Sequence, residues 1–145
     1  MMQSADVLLV EDNPNDAEMT MRALMKNNVV NSITHLSDGA QALDYLFRKG
    51  EYASRTPGHN PKLILLDLKM PKVDGIEVLR KIKETEDLRT IPVVVLTSSN
   101  QDPDIRICYS LGVNSYVVKP VAFEAFIKAI SGLGLYWLIT NQPPQ

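Results

Sequence analysis

Leu63-Ile64-Leu65-Leu66-Asp67 is a run of aliphatic residues with no polar break, closed by a carboxylate. A strand with one wet face alternates apolar and polar residues. An unbroken run suits a strand buried on both faces, as in a parallel sheet covered by helices on each side. Two similar runs flank it: Val7, Leu8, Leu9 and Val10 upstream, and Val93, Val94, Val95 and Leu96 downstream. The fold turns on what separates them.

Helical patterns separate them. Asn13, Pro14 and Asn15 punctuate the chain after the first run, and Ala17, Met21, Leu24 and Met25 then recur at helical spacing. Residues 33–36 form a weaker strand. Asp38-Gly39 turns into a second helix with Ala42, Leu43, Leu46 and Phe47 on one stripe, stopped by Gly50. A polar connection over 51–62, with Pro57, Gly58 and Pro61, is long for a compact domain. Beyond Asp67, Met70-Pro71 and Asp74-Gly75 precede a third helix marked by Ile76, Leu79 and Ile82. Ile91-Pro92 leads into the fourth strand, which ends at Thr97. Asp102 caps a fourth helix with Pro103 at its first position; Ile105, Cys108 and Leu111 share a face and Gly112 ends it. Tyr116, Val117 and Val118 make the fifth strand, closed by Lys119-Pro120. Phe123, Phe126, Ile127 and Ile130 mark a last helix, extended over 132–140, with 141–145 as a loose end.

Strands alternating with helices imply a doubly wound α/β sheet with helices on both faces. The expected architecture is one flavodoxin-like domain over 1–145, core about 5–131, strand order 2-1-3-4-5. The chain is 45% hydrophobic with a formal net charge of −2, which gives no reason to expect nucleic-acid or membrane binding. Cys108 is the only cysteine, so no internal disulfide forms. There is no signal-peptide pattern and no apolar stretch long enough to cross a bilayer, so the expected location is cytoplasmic.

In such sheets, ligands sit outside the carboxyl ends of the strands. Glu11 and Asp12 follow the first strand, Asp67 the third, Thr97 the fourth and Lys119 the fifth. Three carboxylates in one pocket would raise each other's pKa. A hard divalent cation such as Mg²⁺ relieves that conflict through oxygen ligands. With Lys119 the formal charge then falls to about zero. Such a pocket suits phosphoryl transfer, which depends on positioning and charge neutralisation. A carboxylate can itself be the nucleophile and form an acyl phosphate.

The motifs Val10-Glu11-Asp12, Leu66-Asp67-Leu68-Lys69-Met70-Pro71, Asp74-Gly75, Leu96-Thr97-Ser98 and Lys119-Pro120 occur in that order, each at a strand end or just after it. In this the chain resembles the receiver domain of two-component response regulators. The resemblance implies that Asp67 is the phosphoacceptor, that Glu11 and Asp12 support the metal, and that the backbone carbonyl of Lys69 is a further ligand. It implies Mg²⁺, with Mn²⁺ as a substitute. Thr97 with Ser98, and Lys119, match the switch hydroxyl segment and the phosphate-binding lysine; Tyr116 matches the aromatic that follows the hydroxyl inward. The Lys119-Pro120 bond is expected to be cis. Lys69 stands two residues after the acceptor and is expected to alter metal affinity and phosphoryl lifetime. The implied donor is a histidine kinase. The expected output is a changed protein contact, a homodimer, or relay to a histidine phosphotransfer protein, since no output domain is expected after the last helix. The 51–62 connection and Leu135-Tyr136-Trp137-Leu138 are similar to features of the receiver subgroup associated with bacterial phytochrome kinases, which implies a red-light-sensing kinase. No turnover substrate is expected.

Other readings compete. A haloacid-dehalogenase-like phosphatase needs an acid two positions after the nucleophile, where this chain has Lys69. A flavin-binding flavodoxin has no use for the Glu11-Asp12 pair. A degenerate receiver would lack part of the acidic set or the lysine. His35 and His59 have no metal-ligand spacing. Cys108 reads as a buried helix residue, Lys81, Lys83 and Glu84 as a solvated helix face, and the methionines of the first helix as core.

Overall fold

The computed structural model describes residues 5–25, 30–55, 60–70, 73–98 and 104–132. Five parallel strands, β1 (Ala5–Val10), β2 (Val30–Leu36), β3 (Leu63–Asp67), β4 (Val93–Thr97) and β5 (Ser115–Val118), form one sheet in the order β2-β1-β3-β4-β5. Five helices alternate with them: α1 (Pro14–Met25), α2 (Gly39–Phe47), α3 (Gly75–Glu84), α4 (Asp104–Ser110) and α5 (Phe123–Gly132). This is the flavodoxin-like arrangement.

The unbroken aliphatic runs explain the centre of the sheet. Every residue of β3 and β4 is buried. Successive side chains point to opposite faces, so each strand feeds two cores. Leu8, Val10, Ile64, Leu66, Val93 and Val95 pack with Leu46, Leu79, Ile82 and Cys108 on the side of α2, α3 and α4. Val7, Leu9, Leu63, Leu65, Val94 and Leu96 pack with Ala17, Leu24 and Phe126 on the side of α1 and α5. Because all strands run the same way, their carboxyl ends share one rim.

Several expectations need correction. β2 begins at Val30, before the expected 33–36. Helix α2 ends at Arg48, not Gly50: Arg48 takes the left-handed conformation (φ 56°), and the Lys49 N–H donates to the Asp44 carbonyl at 2.8 Å. A non-glycine residue there costs about 1 kcal/mol. The 51–62 connection is not wholly irregular. It opens with a 3₁₀ turn, Gly50–Tyr52. The Arg55 guanidinium lies 3.9 Å over the Tyr45 ring and donates to the Tyr45 carbonyl, while Tyr52 meets Tyr45 edge-on at 5.2 Å. This connection enters β3 at its amino end, on the rim opposite Asp67.

Among the methionines of α1, Met21 packs against the core, but Met19 and Met25 are exposed. Lys83 is half-buried rather than solvated: its side chain passes beside Gly112 (φ 93°), its ammonium donates to the Arg89 carbonyl at 3.3 Å, and burial lowers its pKa. Cys108 is fully buried. Asp102, Pro103, His59 and the 133–145 segment lie outside the described residues.

Candidate functional site

The site begins with how β1 ends. The Glu11 N–H donates to the Leu36 carbonyl at 3.0 Å, and His35 Nε2 lies 2.8 Å from the Glu11 carbonyl. Held from β2 by both backbone groups, Glu11 turns its side chain inward, where it is fully buried. The next residue, Asp12, is exposed. Asn13 then opens α1: its N–H donates to Glu11 Oε2 at 3.2 Å, and its Oδ1 accepts the N–H groups of Asn15 and Asp16 at 2.9 and 3.0 Å.

Asp67, 4% exposed, closes β3, and the Lys69 N–H lies 3.4 Å from its Oδ1. Gly75 lets α3 start directly against this corner: its N–H donates to the Leu68 carbonyl at 2.8 Å. Thr97 closes β4 and is buried, Ser98 is exposed, and the Lys119 N–H donates to the Thr97 carbonyl at 2.7 Å. The Lys119-Pro120 bond is cis.

The Lys119 ammonium lies 3.0 Å from Glu11 Oε1, 3.2 Å from Asp16 Oδ2 and 3.5 Å from Asp67 Oδ2. A cavity of about 200 Å³ opens over these groups; Asp12, Asp16, Asp67, Thr97, Ser98 and Lys119 are among its lining. Burial pushes the Asp67 carboxyl up, the neighbouring Glu11 charge pushes it further, and the Lys119 charge only partly offsets them, leaving it at about 7. For Lys119, burial acts downward, but the Glu11 hydrogen bond, the charges of Asp67 and Glu11, and the Asp16 hydrogen bond outweigh it, and its pKa is raised.

A divalent cation fits these residues. One oxygen from each of Glu11, Asp12 and Asp67 can be chosen so that all lie within 4.8 Å of one another. Oxygens around a Mg²⁺-sized ion at about 2.1 Å sit roughly 3 to 4 Å apart, so slight closure suffices. Glu11 Oε1 is also buried without a hydrogen-bond donor, Lys119 standing near it but off the donor line. A buried carboxylate oxygen that holds an ion-pair contact but no hydrogen bond can still take a hydrogen-bond donor or a metal cation.

Glu11, Asp12, Asp67, Lys69, Thr97, Ser98 and Lys119 thus meet at one rim. Tyr116 does not line this cavity. It sits on β5 beside Tyr109, ring centroids 6.3 Å apart and edge to face, next to a groove between β5 and α5. The Lys69 ammonium turns away from the carboxylate cluster, toward Asp104 Oδ2 at 3.6 Å. Sequence reading missed two residues, Asp16 and His35. Asp16 carried a signal, an acid in the first turn of a helix leaving the rim; His35 carried none, since its bond goes to a backbone carbonyl.

A doubly wound α/β domain with an acidic, lysine-bearing pocket at its carboxyl rim is the architecture of a phosphoryl-accepting signalling domain. The chain belongs to the response regulator receiver domain family, whose pattern it matches over residues 7–131. It is 48% identical over 138 residues to the probable methanogenesis regulatory protein FilR2 of Methanothrix harundinacea, covering 95% of this chain and 86% of that protein. It is 40% identical over 138 residues to the response regulator Rcp1 of Synechocystis, covering 95% and 92%. Among solved structures, it is similar to the bacteriophytochrome response regulator RtBRR (50% identity, TM-score 0.87, covering 98% of this chain and 85% of that one). The phosphorylated cyanobacterial phytochrome response regulator RcpA gives 38% identity and a TM-score of 0.78, covering 99% and 100%. The Mn²⁺-bound form of Rcp1 gives 38% and 0.76, covering 97% and 99%. Among the described residues, no helix is long and apolar enough to cross a membrane.

Proposed function

We propose that Asp67 accepts a phosphoryl group from a histidine kinase, and that the resulting charge changes which protein surface the domain presents. The observation that carries this reading is the meeting of the Glu11, Asp12 and Asp67 oxygens within 4.8 Å, with the Lys119 ammonium 3.5 Å from Asp67. Glu11, Asp12, Asp67 and the Lys69 carbonyl would hold Mg²⁺, or Mn²⁺ in its place. Bound there, the cation supplies positive charge to carboxylate and phosphoryl oxygens.

Asp67 attacks through a carboxylate oxygen. The new O–P bond forms as the donor's N–P bond breaks, and the leaving imidazole takes its proton from solvent. Lys119 neutralises a phosphoryl oxygen, and the Thr97 hydroxyl and the Ser98 segment donate to others. Thr97 moves toward the phosphoryl group and Tyr116 follows it, a population shift between two arrangements of one packed corner. The surface that reads this shift includes Ile107, Tyr109 and Val118, large apolar side chains exposed on α4 and β5. A second copy of the chain, a downstream protein or a histidine phosphotransfer protein docks there.

The domain is one receiver unit with its core over about 5–131, cytoplasmic, without a turnover substrate and without a nucleic-acid or membrane partner. The relatives named for bacteriophytochrome and phytochrome systems favour a red-light-sensing kinase upstream. Incubation with acetyl phosphate and Mg²⁺, followed by intact-mass measurement, tests the acceptor. A metal-dependent gain of one phosphoryl group in the wild type, absent in Asp67→Asn, is the expected result. A folded, cation-binding wild type that gains nothing from acetyl phosphate or from a phosphorylated kinase rules the reading out.

A further inference from the structure

Asp16 belongs to neither the acceptor nor the cation-binding set, yet it enters the same cavity. Its Oδ2 lies 3.2 Å from Lys119 Nζ in hydrogen-bond geometry, nearer than the Asp67 oxygen at 3.5 Å. The two residues come from opposite ends of the chain. The Lys119 side chain is 18% exposed and that of Asp16 35%, so this contact is only partly screened. An acid in the first turn of α1 would be favourable on helix-dipole grounds alone. That structural role does not require the carboxylate to reach the lysine.

Charge balance gives the contact a consequence. Glu11, Asp12, Asp16 and Asp67 together exceed Lys119 and one divalent cation by a single formal negative charge. A phosphoryl group on Asp67 adds more. Glu11 and Asp67 can turn their oxygens to the cation, whereas Asp16 lies outside the group of ligand atoms that converge on it. Glu11 Oε1 is the nearest carboxylate oxygen to the Lys119 ammonium, at 3.0 Å, and once Glu11 turns to the cation Asp16 is left as the carboxylate competing for that ammonium.

We propose that Asp16 is a positioning residue that holds Lys119 back from the phosphoryl oxygens, and so weakens retention of the anion at Asp67. This deepens the phosphoacceptor reading and rests on it. Lys119 exchanges Asp16 for a phosphoryl oxygen when the acyl phosphate forms and returns when it is lost. The strength of the Asp16 contact then helps set how long the phosphorylated form persists.

The probe is beryllium trifluoride, an anionic phosphoryl mimic, titrated in the presence of Mg²⁺ and followed by ¹⁹F NMR. Asp16→Asn should bind it about tenfold more tightly than wild type, the scale of one partly screened charge pair. Mg²⁺ affinity without fluoride should be unchanged or lower, because removing a nearby negative charge cannot favour a cation. Asp16→Ser, which also suits a helix start, should show the same split. In a Lys119→Gln background the gain should vanish. Equal affinities for wild type and both Asp16 variants overturn the proposal, as does an undiminished gain without the lysine. A wild type that does not bind the mimic overturns the phosphoacceptor reading, and this inference with it.

Discussion

At the scale of single residues, Asp67 carries an electrostatic conflict that pH can expose. It is buried beside Glu11, and its carboxyl is raised to about 7, against an ordinary value near 4 in an unfolded chain. Between those values the folded state binds more protons than the unfolded state, so stability from this group falls as pH rises through the window. Below about pH 4 the penalty is absent; above about pH 7 it is complete. Without divalent ions, Asp67→Asn should therefore unfold at a higher temperature than wild type at pH 8, and the gap should close toward pH 4.5. Thermal melts at three pH values check this, and a gap independent of pH would refute it. Lys69 should matter less. Its side chain is 73% exposed and engaged with Asp104, a pairing worth at most about 1 kcal/mol. Lys69→Asn should change Mg²⁺ affinity by less than about fivefold in a calorimetric titration. Strand ends made Glu11, Asp12, Asp67, Thr97 and Lys119 legible, because a buried run that stops at a polar residue announces the rim. Asp16 and His35 act through side-chain reach across elements, which spacing along one segment does not encode.

Secondary-structure elements meet at the site with little clearance, and glycines mark where. A Cβ on Gly75 would lie 2.3 Å from the Asp67 carbonyl oxygen and 2.6 Å from the Leu68 Cα. Backbone cannot yield as a flexible side chain can, so α3 would have to move away from the end of β3. Its start is otherwise well made, with Asp74 accepting the Glu77 N–H at 3.0 Å. Gly75→Ala should cost about 1–3 kcal/mol in urea denaturation and should slow phosphorylation even where the protein remains folded. Gly132 is the control: a Cβ there meets nothing within 4 Å among the described residues, so Gly132→Ala should be neutral or stabilising by up to about 1 kcal/mol. Elements were legible in proportion to their burial. β3 and β4 are visible as unbroken aliphatic runs. β2, at the sheet edge, interrupts its pattern with Asn31, Ser32 and Thr34, which hid its first half. The end of α2 was misplaced because Gly50 is the expected stop, whereas Arg48 takes the left-handed position two residues earlier.

For the whole molecule, parallel topology concentrates charge. All strands end on one rim, so residues dispersed along the chain are brought together by a sheet whose two apolar cores lie on its faces. Burial on those faces holds the rim together against repulsion among Glu11, Asp12, Asp16 and Asp67. A cation that binds only the folded rim must then stabilise the entire domain by mass action. At a hundredfold excess over its dissociation constant the gain is about 2.7 kcal/mol, or roughly 5–10 °C for a domain of this size. Protons compete for the same oxygens, because Asp67 must lose its proton to become a ligand. At a fixed Mg²⁺ concentration, the rise in unfolding temperature should therefore be large at pH 8 and small at pH 5. Asp67→Asn should shrink it at pH 8 by removing one ligand. Calcium-free melts with and without Mg²⁺ at the two pH values measure both effects. A shift that is the same at pH 5 and pH 8, or that survives intact in Asp67→Asn, would place the cation away from this rim and break the link between the buried carboxylate and the stability of the fold.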